Sequence, residues 1–237
     1  MSVATTGESG PFAWAAASDI GRMRHENQDA WVVREVCGGV LFAVADGMGG
    51  HPNGAWAARF ACAALVDALE SSPPGQIPDL SAVVVDLNLR LVREALRLGT
   101  PGAGTTLTAV LADAQELHWV HIGDTRLYVL DAGSLVQVTR DHNLASEPGG
   151  HPRLANVLTR CLGSSGDVEP DAGRMPLPPA WLLATDGLYQ QVEPERLQGA
   201  LEGGDPPAAA VHLVELANIG GGPDNITVVL ARLLATG

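Results

Sequence analysis

The sequence predicts an α+β fold, an antiparallel β-sandwich covered by helices. Short apolar runs joined by tight turns recur along the chain, and long helical patterns are few. A length of 237 residues with 46% apolar residues is enough to bury a sizeable core. Only 4% of residues are aromatic, so Val, Leu, Ala and Ile must fill most of it.

In chain order, residues 1–10 are polar and rich in Gly and Ser, and read as a flexible N-terminus. With no basic start and no apolar run, they are not expected to act as a signal peptide. Residues 11–237 read as a single domain without repeats or a linker. Residues 40–45 are wholly apolar and read as a strand. Residues 54–69, rich in Ala, and 80–98 read as helices, with a Pro/Gly-rich loop at 71–78 between them. In the second, Leu80, Val84, Leu87, Leu91, Ala95 and Leu98 recur at three- and four-residue spacing, which gives one apolar face. Residues 106–112 and 117–122 read as strands paired around a turn at 113–116. Residues 127–131 and 135–139 pair around Ala132-Gly133-Ser134. A Pro/Gly-rich loop follows at 147–152, then strands at 181–185 and 226–233, with a helix at 207–217 before the last.

The formal net charge of −13 argues against nucleic acid or an anionic membrane as partner, since both require a basic surface. No stretch of about 18 apolar residues is long enough to span a bilayer. The three cysteines, Cys37, Cys62 and Cys161, are widely spaced without a C-x-x-C pair, so neither a zinc site nor a disulfide framework is expected. They read as small core residues, and the reducing cytoplasm as the compartment.

The positions of the aspartates carry the functional signal. Asp46 follows the apolar run 40–45, Asp124 follows 119–123, Asp186 follows 181–185, and Asp224 stands just before Ile226. Four carboxylates therefore stand at the ends of four apolar strands, where the backbone holds side chains rigidly. Asp46 and Asp186 are each followed by a glycine, which permits close backbone approach. Oxygen-only donors suit Mg²⁺ or Mn²⁺ rather than zinc. A single Asp-Gly at a strand end is an ordinary turn; four strand-terminal aspartates point to a divalent-cation site.

At these residues the chain resembles the metal-dependent protein phosphatases, the type 2C or PPM family, in its bacterial form. The resemblance spans nearly the whole chain. Its motifs are Ser18-Asp19-Ile20-Gly21, Arg24-His25-Glu26-Asn27-Gln28-Asp29, Asp46-Gly47-Met48-Gly49-Gly50-His51, Gly104-Thr105-Thr106 and Gly123-Asp124-Thr125-Arg126. Thr139-Arg140-Asp141-His142, Leu158-Thr159-Arg160-Cys161-Leu162-Gly163, Thr185-Asp186-Gly187-Leu188 and Gly222-Pro223-Asp224-Asn225 complete the series.

The resemblance implies two antiparallel sheets flanked by helices on both faces, with residues 11–237 as one catalytic domain. It also implies a serine/threonine protein phosphatase. Asp46 would bridge two central Mn²⁺ or Mg²⁺ ions, the Gly47 carbonyl would bind one of them, and Asp186 and Asp224 the other. Asp124 would share a weaker third ion with Asp186. Arg24 would contact the phosphate through a planar fork that lysine lacks. Asp29 would orient metal-bound water from behind the ligands. A hydroxide bridging the ions would attack phosphorus directly, with no covalent enzyme intermediate. Expected partners are phosphoserine and phosphothreonine proteins phosphorylated by a bacterial serine/threonine kinase, and the enzyme is expected to be a monomer.

Some residues depart from the family pattern. Gln28 replaces a glutamate that ligates metal or metal-bound water in many members, so it keeps an oxygen and loses a charge. Met48 replaces the histidine proposed as general acid in animal members, which leaves the proton donor open between His51 and others. The flap, residues 143–156, is short and reads as an irregular surface loop. His118, His121, His142, His151 and His212 read as structural or exposed, Thr105 and Thr106 as shaping a strand, and Arg126 as an ion-pair partner. Two other functions fit the same fold: a non-catalytic pseudophosphatase, which would require lost ligands, and a phosphatase of small metabolites.

Overall fold

A computed structural model describes residues 4–36, 38–48, 53–73, 75–203 and 205–234. Among these residues the strands, in chain order, begin with β1 (Thr5–Ser9), β2 (Phe12–Asp19), β3 (Asp29–Val36), β4 (Gly39–Asp46), β5 (Leu107–Ala112) and β6 (Glu116–Ile122). They continue with β7 (Arg126–Asp131), β8 (Ser134–Gln137), β9 (Asp171–Pro176), β10 (Ala180–Ala184) and β11 (Ile226–Leu233). The helices are α1 (Gly54–Glu70), α2 (Leu80–Arg97), α3 (Asp186–Tyr189), α4 (Pro194–Glu202) and α5 (Pro206–Ile219). One sheet has the order β1-β2-β11-β10-β7-β8 and the other β3-β4-β5-β6-β9. The named strand pairs are all antiparallel.

The layers follow from which faces are apolar. Strands β4, β5 and β10 are buried along nearly their whole length because each has a sheet on one side and helices on the other. Between the sheets, Trp181 meets Phe12 and Phe42 edge to face, with ring centroids 5.2 and 5.3 Å apart. A second core lies under α1 and α2, around Leu41, Leu65, Leu69, Leu87, Leu91 and Leu111. A third lies under α4 and α5, around Leu182, Leu197, Leu213, Val228 and Leu230. The result is a helix–sheet–sheet–helix stack, as the sequence predicts. Among the described residues no helix is long and apolar enough to cross a membrane.

Three differences from the sequence reading have physical causes. The N-terminal segment is not a flexible tail over residues 5–9: β1 pairs with β2 from Thr5↔Ala16 to Ser9↔Phe12. Gly10, at φ +53°, makes the reversal that a side chain would resist. The apolar period of α2 ends early, since Leu98 is the C-cap and is exposed, while Leu80, Val84, Leu87, Leu91 and Ala95 are buried. Cys62 is a core residue, as expected, with burial pushing its thiol up to about 12. Cys161 is half-buried at a pocket wall, and Cys37 and His51 lie outside the described residues.

Trp181 fills the centre of the sandwich at 0% exposure. Trp181→Ala should cost about 3–5 kcal/mol, the usual loss for truncating a fully buried aromatic. Trp181→Phe should cost less, because it removes less volume and an indole N–H that has no hydrogen-bond partner. Urea unfolding of the two variants checks the order.

Candidate metal centre

The strand-end aspartates converge. Asp46 ends β4 and Asp124 follows β6, both in the five-stranded sheet. Asp186 follows β10 and Asp224 precedes β11, both in the six-stranded sheet. The four meet where the two sheets end side by side, on a pocket of about 450 Å³ that Arg24, Gln28 and Gly47 also line. Asp29 sits behind the pocket, facing Asp46 across the β3–β4 pair. All eight residues singled out in the sequence therefore belong to one region.

The backbone around each carboxylate is tied down. The amide of Asp46 donates to Thr106 Oγ1 at 2.9 Å, and Thr105 Oγ1 donates to the Asp46 carbonyl at 2.9 Å. Gly47 is required by packing: a Cβ there would stand 2.3 Å from the backbone of Gly54, where α1 begins. A Cβ on Gly187 would stand 2.1 Å from the Asn225 carbonyl, so glycine lets the Asp186 and Asp224 turns close on each other.

Asn225 was part of a motif without an assigned role, and it proves to be a clip. Its Nδ2 donates to the carbonyls of Ile20 and Glu26 at 2.9 and 3.0 Å, and its Oδ1 accepts from the amide of Gln28 at 2.9 Å. These bonds fasten the loop that carries Arg24. Arg24 Nη2 donates to Asp224 Oδ2 at 2.8 Å. Thr185 Oγ1 donates to Asp29 Oδ2 at 2.9 Å and accepts from the amide of Thr227 at 2.9 Å, which ties the two sheets together beside the pocket. Tyr189, also absent from the sequence reading, donates to the Asp124 carbonyl at 3.0 Å. Its ring lies 3.6 Å beneath the guanidinium of Arg126, which grips Asp141 through two bonds of 2.9 and 2.8 Å. Arg126 is thus the structural ion-pair partner that the sequence suggests. His121 and His142 are buried and hydrogen-bonded, to Thr108 at 2.8 Å and to the Gly123 amide at 3.2 Å.

The electrostatics are those of an anionic cluster short of positive charge. Desolvation raises Asp46 well above the usual carboxylate value, and the charges of Asp29, Asp186, Asp124 and Asp224 add to it. Desolvation likewise lifts Asp29 to about 7, with hydrogen bonds from Thr227 and Thr185 opposing. Asp124 rises to about 7 by burial and then the charge of Asp186, and Asp186 to about 6 by burial and then the charge of Asp224. Asp186 Oδ1 and Asp29 Oδ1 are buried without a hydrogen-bond partner. Two orphaned oxygens among mutually repelling carboxylates fit a divalent cation, which would satisfy both the charge and the lone pairs. Among the described residues no three His, Cys, Asp or Glu side chains form a compact cage. One or two carboxylates per ion, completed by water, is the usual way Mg²⁺ is held.

The flap is an irregular loop, as expected, with one 3₁₀ turn at Pro152–Leu154. Its base is closed by Leu144 N donating to the Val157 carbonyl at 2.9 Å, and Asn156, Val157 and Leu158 line the pocket. Gln190 Nε2 donates to Asp186 Oδ2 at 3.1 Å and reaches Asn156 Oδ1 at 3.4 Å, joining flap and carboxylate.

Oxygen donors crowded beside one arginine suit divalent cations together with an anionic ligand, the kind of site used in metal-assisted phosphate-ester chemistry. Comparison with known proteins narrows the class. A profile of the protein phosphatase 2C family matches residues 22–215, and the chain belongs to that family. It is 35% identical, over 93% of its length, to the serine/threonine protein phosphatase PstP of Mycobacterium tuberculosis, but spans only 45% of that protein. It is 32% identical to the serine/threonine phosphatase stp of Listeria welshimeri, over 91% of this chain and 93% of the relative. The crystal structure of the PstP catalytic domain in complex with two manganese ions superposes with a TM-score of 0.84 at 35% identity, covering 94% of this chain and 99% of that one.

The raised carboxylates fix the sign of a pH effect in metal-free protein. Between the unfolded value of 3.8 and the folded values of about 6–7, the folded state holds protons that the unfolded state has released. The stability these groups contribute is complete below about pH 4 and is lost as pH rises through about 7. Mn²⁺ binds the deprotonated groups, so its stabilisation should be larger at pH 8 than at pH 5. Thermal unfolding in EDTA and in Mn²⁺ at both pH values checks this. An equal Mn²⁺ shift at the two values would contradict it.

Proposed function

We propose that the chain is a Mg²⁺- or Mn²⁺-dependent serine/threonine protein phosphatase. The observation that carries this reading is the meeting of four strand-end carboxylates, two from each sheet, on one pocket with Arg24. In this reading Asp46, the Gly47 carbonyl, Asp186 and Asp224 would hold two central ions, and Asp124 with Asp186 would hold a weaker third. When bound, the ions supply charge neutralisation of the phosphate dianion and an activated water.

The chain's own residues do the rest. Asp224 fixes one edge of the Arg24 guanidinium, and its other edge is turned to substrate oxygens. Asp29, held by Thr185, lies behind Asp46 and orients water at the ligands. Gln28 supplies a neutral oxygen on the same wall. No nucleophilic side chain is needed, so hydrolysis is direct. Met48 is on the pocket wall and cannot donate a proton, so the leaving group is protonated by water or by a residue other than Met48. The retained carboxylates speak against a pseudophosphatase, and the open, short flap suits a protein segment better than an enclosed metabolite. The same reading puts the enzyme in the cytoplasm, opposing a serine/threonine kinase.

Hydrolysis of a phosphothreonine peptide should require Mn²⁺ or Mg²⁺ and stop in EDTA. Asp46→Asn should abolish it, because the site would lose the charge of one of the carboxylates that would hold the ions. Arg24→Ala should raise KM more than it lowers kcat. Asp124→Ala should retain tight Mn²⁺ binding by calorimetry and still lose most phosphopeptide activity. Undiminished turnover in metal-stripped protein would refute the mechanism.

The flap generates a separate expectation. A loop of this length encloses little substrate, so kcat/KM across phosphoserine and phosphothreonine peptides should spread by no more than roughly tenfold, or about 1.4 kcal/mol. A roughly thousandfold preference for one peptide would show that the flap reads sequence.

A further inference from the structure

Helix α2 has two apolar faces and only one is covered. Leu80, Val84, Leu87, Leu91 and Ala95 face the core. Val85, Leu89, Val92 and Leu96 follow at i, i+4, i+7 and i+11, a second stripe about a third of a turn away around the helix. Leu89 and Leu96 are 57% and 64% exposed, Val85 is 37% exposed and Val92 is half-buried at the edge of the covered face. Isolated surface leucines are ordinary, but an aligned stripe along three turns is the pattern of a helix that packs on a partner.

The charges beside the stripe indicate which partner. The other charged residues of α2 have ion-pair partners within the chain: Arg90 with Asp67, and Arg97 with Glu94. Asp86 and Arg93 are exposed, and neither has an ion-pair partner among the described residues. They lie seven residues apart on the same flank of the stripe. When two copies of such a helix pack antiparallel about a two-fold axis, a flank faces the same flank of the other copy. An axis between residues 89 and 90 brings Asp86 of each copy beside Arg93 of the other, twice. The same pairing sets Leu89 and Val92 of one copy against those of the other at the centre, with opposed helix dipoles.

We propose that the chain forms a two-fold homodimer through the outer face of α2, with Val85, Leu89, Val92 and Leu96 as the apolar seam and two Asp86–Arg93 ion pairs at its flank. This departs from the monomer expected from sequence. A single helix pair is a small interface, so the dimer should be weak, with Kd about 10–100 μM. None of the seam residues lines the pocket, so the contact does not depend on the phosphatase reading.

Sedimentation velocity of the whole chain from about 1 to about 100 μM tests it in this Kd range. The expected result is a concentration-dependent shift from monomer to dimer, abolished by Leu89→Glu with an unchanged circular dichroism spectrum. Asp86→Arg and Arg93→Asp should each weaken the dimer, and the double variant should restore it, because the pair is re-formed with reversed charges. A chain that stays monomeric over the range, or a dimer indifferent to Leu89→Glu, overturns the proposal. So does a double reversal no better than the single ones, which would mean that the charges do not meet across the seam.

Discussion

The constraint on which the rest of the structure depends is mutual repulsion among carboxylates that cannot move apart. Asp46, Asp124, Asp186 and Asp224 come from four strand ends in two sheets, and each is fixed by a backbone that has no slack. A flexible loop with the same four charges would splay and hydrate them. A strand end cannot, because moving the carboxylate means breaking the ladder behind it. Burial first, and then the charges of neighbouring carboxylates, shift Asp29, Asp124 and Asp186 upward in the metal-free protein. The same charge density is what makes the site strongly attractive to cations.

Holding that arrangement requires the two sheets to keep one register relative to each other. Most of the work is done far from the pocket, by the Phe12–Trp181–Phe42 contact and the apolar layer around it. Near the pocket the layer gives way to polar ties: Thr185 to Asp29 and Thr227, Thr105 and Thr106 to Asp46, Asn225 to Ile20, Glu26 and Gln28. Threonine suits such positions because its branched Cβ fits a strand while its hydroxyl reaches a neighbouring chain. The change from apolar to hydroxyl-bearing residues at the strand ends marks the functional end of the sandwich.

The aspartates were legible because strand-end carboxylates after apolar runs leave a linear trace. So were β4, β5, β10 and β11, which are mostly buried on both faces and read as largely apolar runs, and β6, which pairs with β5 across a short turn. Strands β2 and β3 were not. Ala13 and Ala15–Ala17 have little strand preference alone, and β3 ends in exposed Arg34 and Glu35. Strand β9 contains Gly173 and Pro176 and is set by pairing with β6 rather than by its own composition. Asn225 and Tyr189 were missed for another reason. Their roles consist of bonds to residues up to 205 positions away, and no local period encodes such a bond. Cys161 looked like a core residue because small apolar character does not reveal which wall of a pocket a side chain joins.

The distribution of charge completes the argument. With a net charge of −13, arginine–carboxylate pairing is abundant, and most of it is exposed and worth little, ~0–1 kcal/mol a pair. The Arg126–Asp141 pair differs: it is shielded, bidentate and roofed by Tyr189, and it stands directly behind Asp124. Asp141 takes up the Arg126 charge that could otherwise neutralise Asp124. Arg126 therefore lowers Asp124 only as the last of its influences, after burial and the charges of Asp186 and Asp141 have raised it. The fold thus places a cation within reach of the pocket and binds it elsewhere, so the carboxylates keep their negative potential. Arg24 is the one arginine lining the pocket among the described residues, and it is half exposed, with its guanidinium paired to Asp224. Arg126 is tied down behind the site, while Arg24 is left on the pocket wall.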